Sequence, residues 1–332
     1  MKIVEISEEK FNNLSIAEPG ANYQQTSNWA NFNNYLECKP LYLGYADDSN
    51  HYSAFAMILV KAGKTIFSKK TAICPSGFLI NYYDTDLLNN FTTDLKKYLS
   101  KKGISELTIS PNVEYLTARG NNDYLIKSMK ELGYQKTDDN FYFTNKISKI
   151  SKAKLPDGVR LKTYVVEKKY RKIFQDNETY RSLYDNMLGT AKFIVCELDH
   201  ENTVCGLNEE INDAKVFIKD HEEDIEYIRK VESKKSFIAQ RSELMSLVEK
   251  CVADNGENPV LAITCLIEYN KTITQLFVES KNDYDSFKAV DILNEKTLRF
   301  IKELGYDNFI SYKPYNNSQK VELIGEFKYS VK

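Results

Sequence analysis

The sequence predicts an α+β protein built from two copies of one domain in tandem, with a helical hairpin inserted in the second copy. Three observations predict this fold. A β-hairpin, an amphipathic helix, a glycine and a short strand follow one another twice in the same order. The chain has 332 residues, more than a single hydrophobic core usually serves. A heptad-like apolar pattern interrupts the second copy.

The first hairpin begins with the apolar run 54–60, and a turn at Gly63 separates this run from a second β-prone segment. The second hairpin begins with the apolar run 261–267, followed by a turn at Asn270 and a strand over 275–278. Short apolar runs between turn residues are typical of buried strands. We expect the two hairpins to occupy equivalent positions.

Each hairpin is followed by an amphipathic helix that ends at a glycine. The first helix is predicted over 87–99 before Gly103, and the second over 290–304 before Gly305. Glycine accommodates the left-handed turn that often ends a helix. Because a short strand and a proline follow both glycines, the two segments indicate one repeated unit.

Further elements complete each copy. The first copy ends with a helix over 123–132 and a strand over 140–145. The second copy begins with a strand over 159–165, a helix over 180–187 and a strand over 192–198. Both copies therefore mix strands and helices in a similar succession.

A Leu-Pro-Asp-Gly turn signal at 155–158 marks the connection between the copies. The boundary is predicted between residues 146 and 157. We therefore predict a first domain over 1–150 and a second domain over 151–332.

The second domain is interrupted at 207–253, where apolar residues recur at alternating steps of four and three. The remaining faces of this segment are densely charged, which is typical of helices exposed to solvent. The pattern favours a protruding antiparallel helical coiled-coil arm. An ordinary pair of core helices is the alternative.

Composition excludes several classes of protein. With 45 Lys and Arg against 47 Asp and Glu, the formal charge of −2 excludes a wholly basic nucleic-acid binder. No apolar run approaches the ~18 residues of a membrane span, so a cytoplasmic location is expected. Six scattered cysteines without a CxxC pair and only three histidines indicate neither a zinc site nor a disulfide framework. Glycine-rich phosphate loops are also missing from the sequence.

Two local features are candidates for binding. Segment 146–172 holds ten basic residues against two acidic ones, a local charge of +8 that can bind nucleic-acid phosphates. A solvated linker is the alternative. The Pro/Gly turn at 74–78 directly follows a strand, where backbone amides can meet a ligand's oxyanion. A simple connecting turn explains it equally well.

Five phrases, in this order along the chain, resemble the Fem-type peptidoglycan aminoacyltransferases, the FemA, FemB, FemX and MurM group also called FemABX. They lie at 25–32, 75–82, 109–113, 132–134 and 321–327. The resemblance implies two GNAT-like (acyl-CoA N-acyltransferase-like) domains in tandem. It also implies the coiled-coil arm that FemA-like members carry.

The resemblance implies transfer of an amino acid from aminoacyl-tRNA to the stem-peptide Lys amine of a peptidoglycan precursor, which builds the interpeptide bridge. The precursor is either lipid II or UDP-MurNAc-pentapeptide, and lipid II would bring a peripheral contact with the membrane. Because the aminoacyl ester is already activated, no metal or cofactor is expected. A homo- or heterodimer is an open alternative.

The resemblance also implies roles for individual residues. Substrate-binding roles fall on Trp29, Asn33, Ser76, Gly77, Phe78, Tyr82, Ser110 and Asn112. Contacts with tRNA fall on Lys152, Lys154, Arg160, Lys162, Lys168, Lys169, Arg171 and Lys172. Lys313 aligns with the family's lysine, whose ammonium could stabilise the tetrahedral oxyanion, and is the expected catalytic residue.

The chain departs from the family pattern at several of these positions. Ser110 replaces an aspartate that could accept a proton, and Asn33 stands where a basic residue is expected. The glycine-rich stretch before Lys313 is missing. The proton acceptor would then come from Tyr82, Asp84 or Glu114. Two alternatives follow, namely a catalytically impaired paralogue that acts as a binding or partner subunit, and a transferase with another amine acceptor.

Overall fold

The structure, a computed structural model, describes residues 1–18, 20–34, 36–63, 69–147, 150–167, 174, 177–187, 189–315 and 318–330. The strands are β1 (Lys2–Glu5), β2 (Cys38–Ala46), β3 (Tyr52–Lys61), β4 (Lys70–Cys74), β5 (Ile104–Ile109), β6 (Leu116–Thr117), β7 (Gly120–Asn121), β8 (Gln135–Asp138), β9 (Phe141–Lys146), β10 (Leu161–Val165), β11 (Ala191–Leu198), β12 (Val260–Tyr269), β13 (Thr272–Ser280), β14 (Asn308–Ser311), β15 (Gln319–Glu322) and β16 (Glu326–Ser330). The helices are α1 (Glu8–Ser15), α2 (Ser27–Asn34), α3 (Thr85–Lys101), α4 (Asp123–Glu131), α5 (Glu178–Asn186), α6 (His200–His221), α7 (Ile228–Asn255) and α8 (Ala289–Glu303).

Two seven-stranded sheets share one topology. The first sheet has the order β1-β2-β3-β4-β5-β16-β8, and the second has the order β10-β11-β12-β13-β14-β9-β15. The first sheet contains the antiparallel hairpin of β3 and β4, and the second contains the antiparallel hairpin of β12 and β13. The second strand of each hairpin then pairs in parallel with the strand that follows a helix. These matching orders confirm the predicted duplication of an α+β unit.

The two sheets exchange one strand each. β9 precedes the predicted domain boundary in the chain, yet it lies between β14 and β15 in the second sheet. β16, near the end of the chain, lies between β5 and β8 in the first sheet. The sequence predicted β9 correctly as a strand but assigned it to the wrong sheet, because local periodicity does not identify a strand's partner.

This exchange affects the division into residues 1–150 and 151–332. Each sheet is completed by a strand from the other half of the chain, so neither sheet is contained in one of these ranges. For the helices and loops, the division into a first domain over 1–150 and a second domain over 151–332 stays a proposal. The two halves are joined by two crossing connections, one leading into β9 and one leading into β16.

Helix α3 illustrates how local sequence forms an element. The Asp84 side chain caps the helix by accepting a hydrogen bond from the backbone N–H of Leu87 at 2.9 Å. Leu88, Phe91 and Leu95 recur at steps of three and four and are completely buried against the first sheet. The helix therefore forms where the sequence predicted it and covers one face of this sheet.

Helix α2 belongs to the first half of the chain and packs against both halves, with Ala30 buried in a core cluster of the first half. Phe32 is buried in a cluster with Leu183 and Tyr184 of α5, and Trp29 packs against the same cluster. The rings of Trp29 and Tyr23 meet edge to face, with centroids 5.2 Å apart. These aromatic contacts hold the two halves together.

Helices α6 and α7 form an antiparallel hairpin that is slightly longer than the predicted arm at 207–253. Arg241 Nε of α7 donates to Glu210 Oε2 of α6 at 2.6 Å, which joins the helices. Val248 and Cys251 anchor the hairpin in the second core, whereas Ile225 at its tip is 84% exposed. The hairpin is a protruding arm, and its supercoiling stays a prediction.

Among the described helices, none is long and apolar enough to cross a membrane.

Candidate functional site

A cleft of about 330 Å³ opens between the two sheets, at the end of the parallel pair β4 and β5. The segments that carry the chain between the halves, before β9 and before β16, form part of its wall. Its lining residues are Asn22, Gln24, Ile73, Pro75, Ser76, Ser110, Asn112, Asn140, Phe141, Tyr142, Thr274, Ile310, Tyr312, Leu323 and Glu326. Both halves of the molecule therefore contribute to one cleft.

A second cavity of about 250 Å³ adjoins this cleft in the first half of the molecule. The two share Ser76 and Asn112 in their walls, so they are parts of one groove. The lining residues of the second cavity are Gly20, Ser76, Phe78, Ile80, Asn81, Tyr82, Tyr83, Asn112, Val113, Glu114 and Thr117. Four of the predicted substrate-binding residues (Ser76, Phe78, Tyr82 and Asn112) thus line this cavity, and Ser110 lines the cleft beside it.

The turn after β4 is held in place by a buried glutamine. Gln25 Nε2 donates to the carbonyl oxygen of Pro75 at 2.6 Å and to that of Met57 at 3.1 Å. Gln25 Oε1 accepts from the Met57 N–H at 2.8 Å. A Cβ at Gly77 would lie 2.8 Å from Cys74 Sγ and 2.9 Å from Gln25 Nε2, so the turn requires glycine there. The turn is thereby fixed at the wall of the cleft.

Tyr82 supports this turn from within the core. Its hydroxyl accepts a hydrogen bond from the Phe78 N–H at 2.6 Å, and both side chains are buried. Burial raises the pKa of Tyr82 well above its ordinary value, because the phenolate would be poorly solvated. Tyr82 is therefore a neutral supporting group. Asp84, another candidate base from the sequence, is committed to capping α3.

A carboxylate lies beside the serine that replaces the expected aspartate. Ser110 Oγ donates to Glu326 Oε2 at 3.3 Å, and Thr137 Oγ1 donates to Glu326 Oε1 at 3.0 Å. Ser110 follows β5, whereas Glu326 begins β16, which is paired with β5. The strand exchange therefore delivers a half-buried carboxylate to the cleft.

The backbone before Glu326 is tightly constrained. Gly325 has a φ of +109°, and a Cβ there would lie 2.7 Å from the backbone oxygen of Asp138. The Ile324 N–H donates to the Val113 oxygen at 2.9 Å, and the Leu323 N–H donates to the Asn140 oxygen at 2.8 Å. These bonds set the position from which Glu326 enters the cleft.

A second carboxylate stands where the two cavities meet. Tyr142, on the exchanged strand β9, donates from its hydroxyl to Glu114 Oε1 at 3.1 Å. Burial and the neighbouring Glu114 carboxylate raise the pKa of Tyr142, so the phenol stays protonated and remains a donor. Asn122 Nδ2 donates to the Glu114 backbone oxygen at 2.6 Å. Both the side chain and the backbone of Glu114 are thus held.

The charge of the groove has one sign. Among the described residues that line the two cavities, Glu114 and Glu326 are acidic and no Lys or Arg occurs. A groove of this charge attracts ammonium groups and repels phosphates. The groove is therefore suited to a ligand group that carries a positive charge.

Trp29 and Asn33 are placed outside this groove. Trp29 packs at the interface between the halves, and Asn33 Nδ2 donates to the Trp29 oxygen within α2 at 2.7 Å. Neither residue is among the described lining residues of the two cavities. Their substrate-binding roles stay predictions.

Lys313 is exposed, and its Nζ lies 3.5 Å from the backbone oxygen of Val278. The neighbouring Tyr312 lines the cleft instead, and its hydroxyl lies 3.3 Å from that of Tyr23. The structure therefore does not bring Lys313 to Ser110 and Glu326. Its catalytic role stays a prediction.

The predicted tRNA-binding residues fall into two groups. Those that the structure describes are all exposed, namely Lys152, Lys154, Arg160 and Lys162. Lys168, Lys169, Arg171 and Lys172 lie outside the described residues. Arg160 precedes the edge strand β10 and Lys162 lies on it, three strand spacings or about 14 Å from β13, which contributes Thr274 to the cleft. Lys162 Nζ pairs with Asp199 at 3.0 Å.

Glu326 is the site residue that sequence reasoning missed. It belongs to the phrase 321–327, but nothing in the local pattern places its side chain beside Ser110, which is 216 residues earlier. The available signal in the sequence was Ser110, which stands where the family pattern has an aspartate. It indicated that another carboxylate had to be supplied, without identifying which one.

Comparison with known proteins agrees with this architecture. Residues 6–149 match the model of the FemAB family, which confirms the resemblance seen in the sequence. A crystal structure of FemX superposes with a TM-score of 0.63 at 16% identity, covering 99% of this chain and 97% of that chain. A tandem GNAT protein from the clavulanic acid biosynthesis pathway superposes with a TM-score of 0.59 at 7% identity, covering 100% and 98%. The fold is thus a tandem GNAT-like fold. No curated protein sequence matches the chain.

Proposed function

Because the first half of this chain is a Fem-type domain, matching the FemAB family over residues 6–149, we propose that the protein is a peptidoglycan aminoacyltransferase. It transfers an amino acid from aminoacyl-tRNA to the Lys side-chain amine in the stem peptide of lipid II or of UDP-MurNAc-pentapeptide. The product is part of an interpeptide bridge. The tandem fold and the cleft between its halves support this proposal.

The Glu326 carboxylate beside Ser110 is the observation that carries the proposal. Aminolysis of an ester requires a group that removes a proton from the attacking amine. The sequence lacks an acid at position 110, and the exchanged strand β16 supplies one at the same place, 3.3 Å from Ser110 Oγ. The cleft therefore contains a proton acceptor on rigid strands.

The reaction can be written with this acceptor. The acceptor amine attacks in its neutral form at the carbonyl carbon of the aminoacyl ester, and a C–N bond forms while Glu326 takes one proton from the amine nitrogen. The C–O bond to the terminal ribose of tRNA then breaks, and Glu326 returns the proton to the leaving oxygen. The Asn112 amide in the wall is available to the developing oxyanion, whereas the Ser76 hydroxyl already donates to Gln24 Oε1.

Contacts with tRNA lie away from the reacting ester. The exposed basic residues on and beside β10 lie about 14 Å from the cleft-lining strand β13, a length of about four base-pair rises along a nucleic-acid duplex. These residues can hold phosphates of the acceptor stem while the uncharged 3′ ester reaches the acidic groove. This arrangement separates phosphate binding from the chemistry.

A second candidate is a transferase whose amine acceptor carries no diphosphate. It is favoured by the lining of the groove, where the described residues include no Lys or Arg to meet a diphosphate. Both soluble and lipid-linked precursors carry that group. A stem pentapeptide without its nucleotide or lipid therefore belongs in the test as a third acceptor.

The experiment incubates the purified protein with total charged tRNA and each of the three acceptors, and measures acceptor mass by mass spectrometry. We expect a gain of one amino-acid residue that ribonuclease treatment abolishes. The same gain on the free pentapeptide alone would favour the second candidate. A folded protein that modifies none of the acceptors would overturn the proposal.

Glu326→Gln and Glu322→Gln form a matched pair for this assay. Glu326 lines the cleft, whereas the Glu322 side chain is exposed on β15 and pairs with Lys320 at 2.9 Å. We expect the first variant to lose transfer and the second to retain it. Equal activity of the two variants would remove Glu326 from the mechanism.

A further inference from the structure

The proposed reaction brings two amines into one groove, and the groove holds two carboxylates. The acceptor amine must lose a proton to attack, while the α-amino group of the aminoacyl donor must stay protonated so that it does not react itself. A single carboxylate cannot serve both purposes at once. Among the residues that the structure describes, Glu326 and Glu114 are the two acidic groups that line the groove.

Glu114 is built as a fixed anchor. Its Oε1 accepts a hydrogen bond from Tyr142 across the junction between the halves, at 3.1 Å. Its backbone is held by Asn122 Nδ2 and by an isolated bridge to Leu323. A carboxylate that already accepts a phenolic hydrogen bond retains lone pairs for an ammonium group.

The surroundings of Glu114 match the three substituents on the α-carbon of an aminoacyl group. Glu114 is on the wall of the cavity of about 250 Å³, whose other described lining residues are uncharged, such as Phe78, Ile80 and Val113. The same wall continues through Asn112 into the cleft that contains Glu326. The three groups on one α-carbon can thus be bound together. The ammonium would lie at the Glu114 carboxylate, the side chain in the uncharged cavity and the ester carbonyl in the cleft.

We propose that Glu114 binds the α-ammonium of the transferred aminoacyl group and that the adjoining cavity receives its uncharged side chain. This rests on the proposed aminoacyl transfer. The protein then requires a donor whose α-amino group is free. Glu114 is a positioning residue in this role, because it holds the donor and takes no proton from the acceptor.

The test is a competition between two donors. Total charged tRNA is divided, half is N-acetylated chemically, and the two halves are offered together with UDP-MurNAc-pentapeptide and lipid II. Mass spectrometry separates products that carry an amino acid from products that carry its acetylated form. We expect the free donor to be preferred by about tenfold or more, since an ammonium–carboxylate hydrogen bond is lost on acetylation.

Variants assign the preference to one carboxylate. Glu114→Gln should raise the KM for the free donor about tenfold, leave kcat within about twofold and reduce the preference against acetylated donor. Glu322→Gln, exposed outside the groove, should behave as the wild type. Partial retention of the preference for the free donor in Glu114→Asp would show that the negative charge of this side chain is required.

Several results would overturn the inference and leave the proposed function intact. Equal use of free and acetylated donors by the wild type is one, and an unchanged preference in Glu114→Gln is another. If Glu326→Gln lost the preference and Glu114→Gln kept it, the α-ammonium would be bound by Glu326 and not by Glu114. Absence of transfer from the free donor to either acceptor would instead be a failure of the proposed function.

Discussion

Ser110 Oγ lies 3.3 Å from Oε2 of Glu326, although the two residues are 216 positions apart in the sequence. Ser110 follows the last residue of β5, and Glu326 is the first residue of the strand that pairs with β5 after crossing from the second half. The acid that is missing at position 110 is thus replaced in the structure by Glu326, which belongs to the phrase 321–327. The crossing connection that completes the first sheet also completes the cleft.

Glu326→Gln tests the role of this carboxylate in proton transfer. The amide keeps the size of the side chain but cannot accept the amine's proton. We expect kcat to fall by about 10²- to 10⁴-fold while the KM for tRNA changes little. Transfer assays with saturating charged tRNA measure this. A fall in kcat of less than about threefold would contradict a general-base role.

Gly325→Ala tests how the backbone positions Glu326. Gly325 has a φ of +109°, and the added Cβ would lie 2.7 Å from the Asp138 oxygen. We expect the free energy of unfolding to fall by about 1–3 kcal/mol and transfer to fall as well, measured by urea denaturation and by activity.

Gly256→Ala is the matched control for this change. Gly256 also has a positive φ, +84°, but a Cβ there meets nothing within 4 Å. It should cost only the backbone strain of this nearly glycine-specific conformation (ψ 173°), about 1–3 kcal/mol, and leave transfer unchanged. Equal losses of stability and activity in the two variants would exclude a specific steric role for Gly325.

Glu295→Gln tests the tether between the connecting segment and α8. Glu295 Oε2 accepts the Ala153 N–H at 2.6 Å, and this bond, together with Arg299, lowers the pKa of Glu295. A lowered carboxyl pKa contributes stability that is present above the unfolded value near pH ~4.3 and is lost as the pH falls through the folded value. We expect the variant to lose about 1–2 kcal/mol at pH 7 and progressively less below about pH 4.

Urea denaturation at several pH values measures this difference. Glu303→Gln is the control, because Glu303 is exposed on the same helix. Its effect should be small at every pH. A loss in Glu295→Gln that persists undiminished at low pH would indicate a packing defect and not the loss of the charged acceptor.

Neutralising the described basic residues tests the tRNA surface. Lys152→Ala and Arg160→Ala should each weaken tRNA binding and reduce the slope of log K against log salt by about 0.7–0.9, because each removes one phosphate contact. Lys162→Ala should have a smaller effect, since its ammonium already pairs with Asp199 at 3.0 Å. Filter binding at several salt concentrations checks this, and unchanged slopes would place the tRNA elsewhere.

Sequence periodicity determined the elements that depend on local patterns. Helix α3 follows from apolar steps of three and four with a capping Asp84, and the hairpin of β12 and β13 follows from apolar runs on either side of a turn. The arm of α6 and α7 follows in the same way from its apolar spacing. Sequence motifs also predict binding roles for the turn at 74–78 and for Ser110, and Pro75, Ser76 and Ser110 line the cleft.

Only the tertiary structure decided which strands complete each sheet and which side chains meet. The sequence predicts β9 as a strand but carries no local signal for its partner, because hydrogen bonds between strands join backbone groups that all residues share. The approach of Glu326 to Ser110 depends on the pairing of β16 with β5, and the approach of Tyr142 to Glu114 depends on the place of β9 in the second sheet. The sequence therefore determined the repeated unit and the resemblance to the FemAB family, and the exchange of strands decided which side chains meet the two carboxylates of the groove.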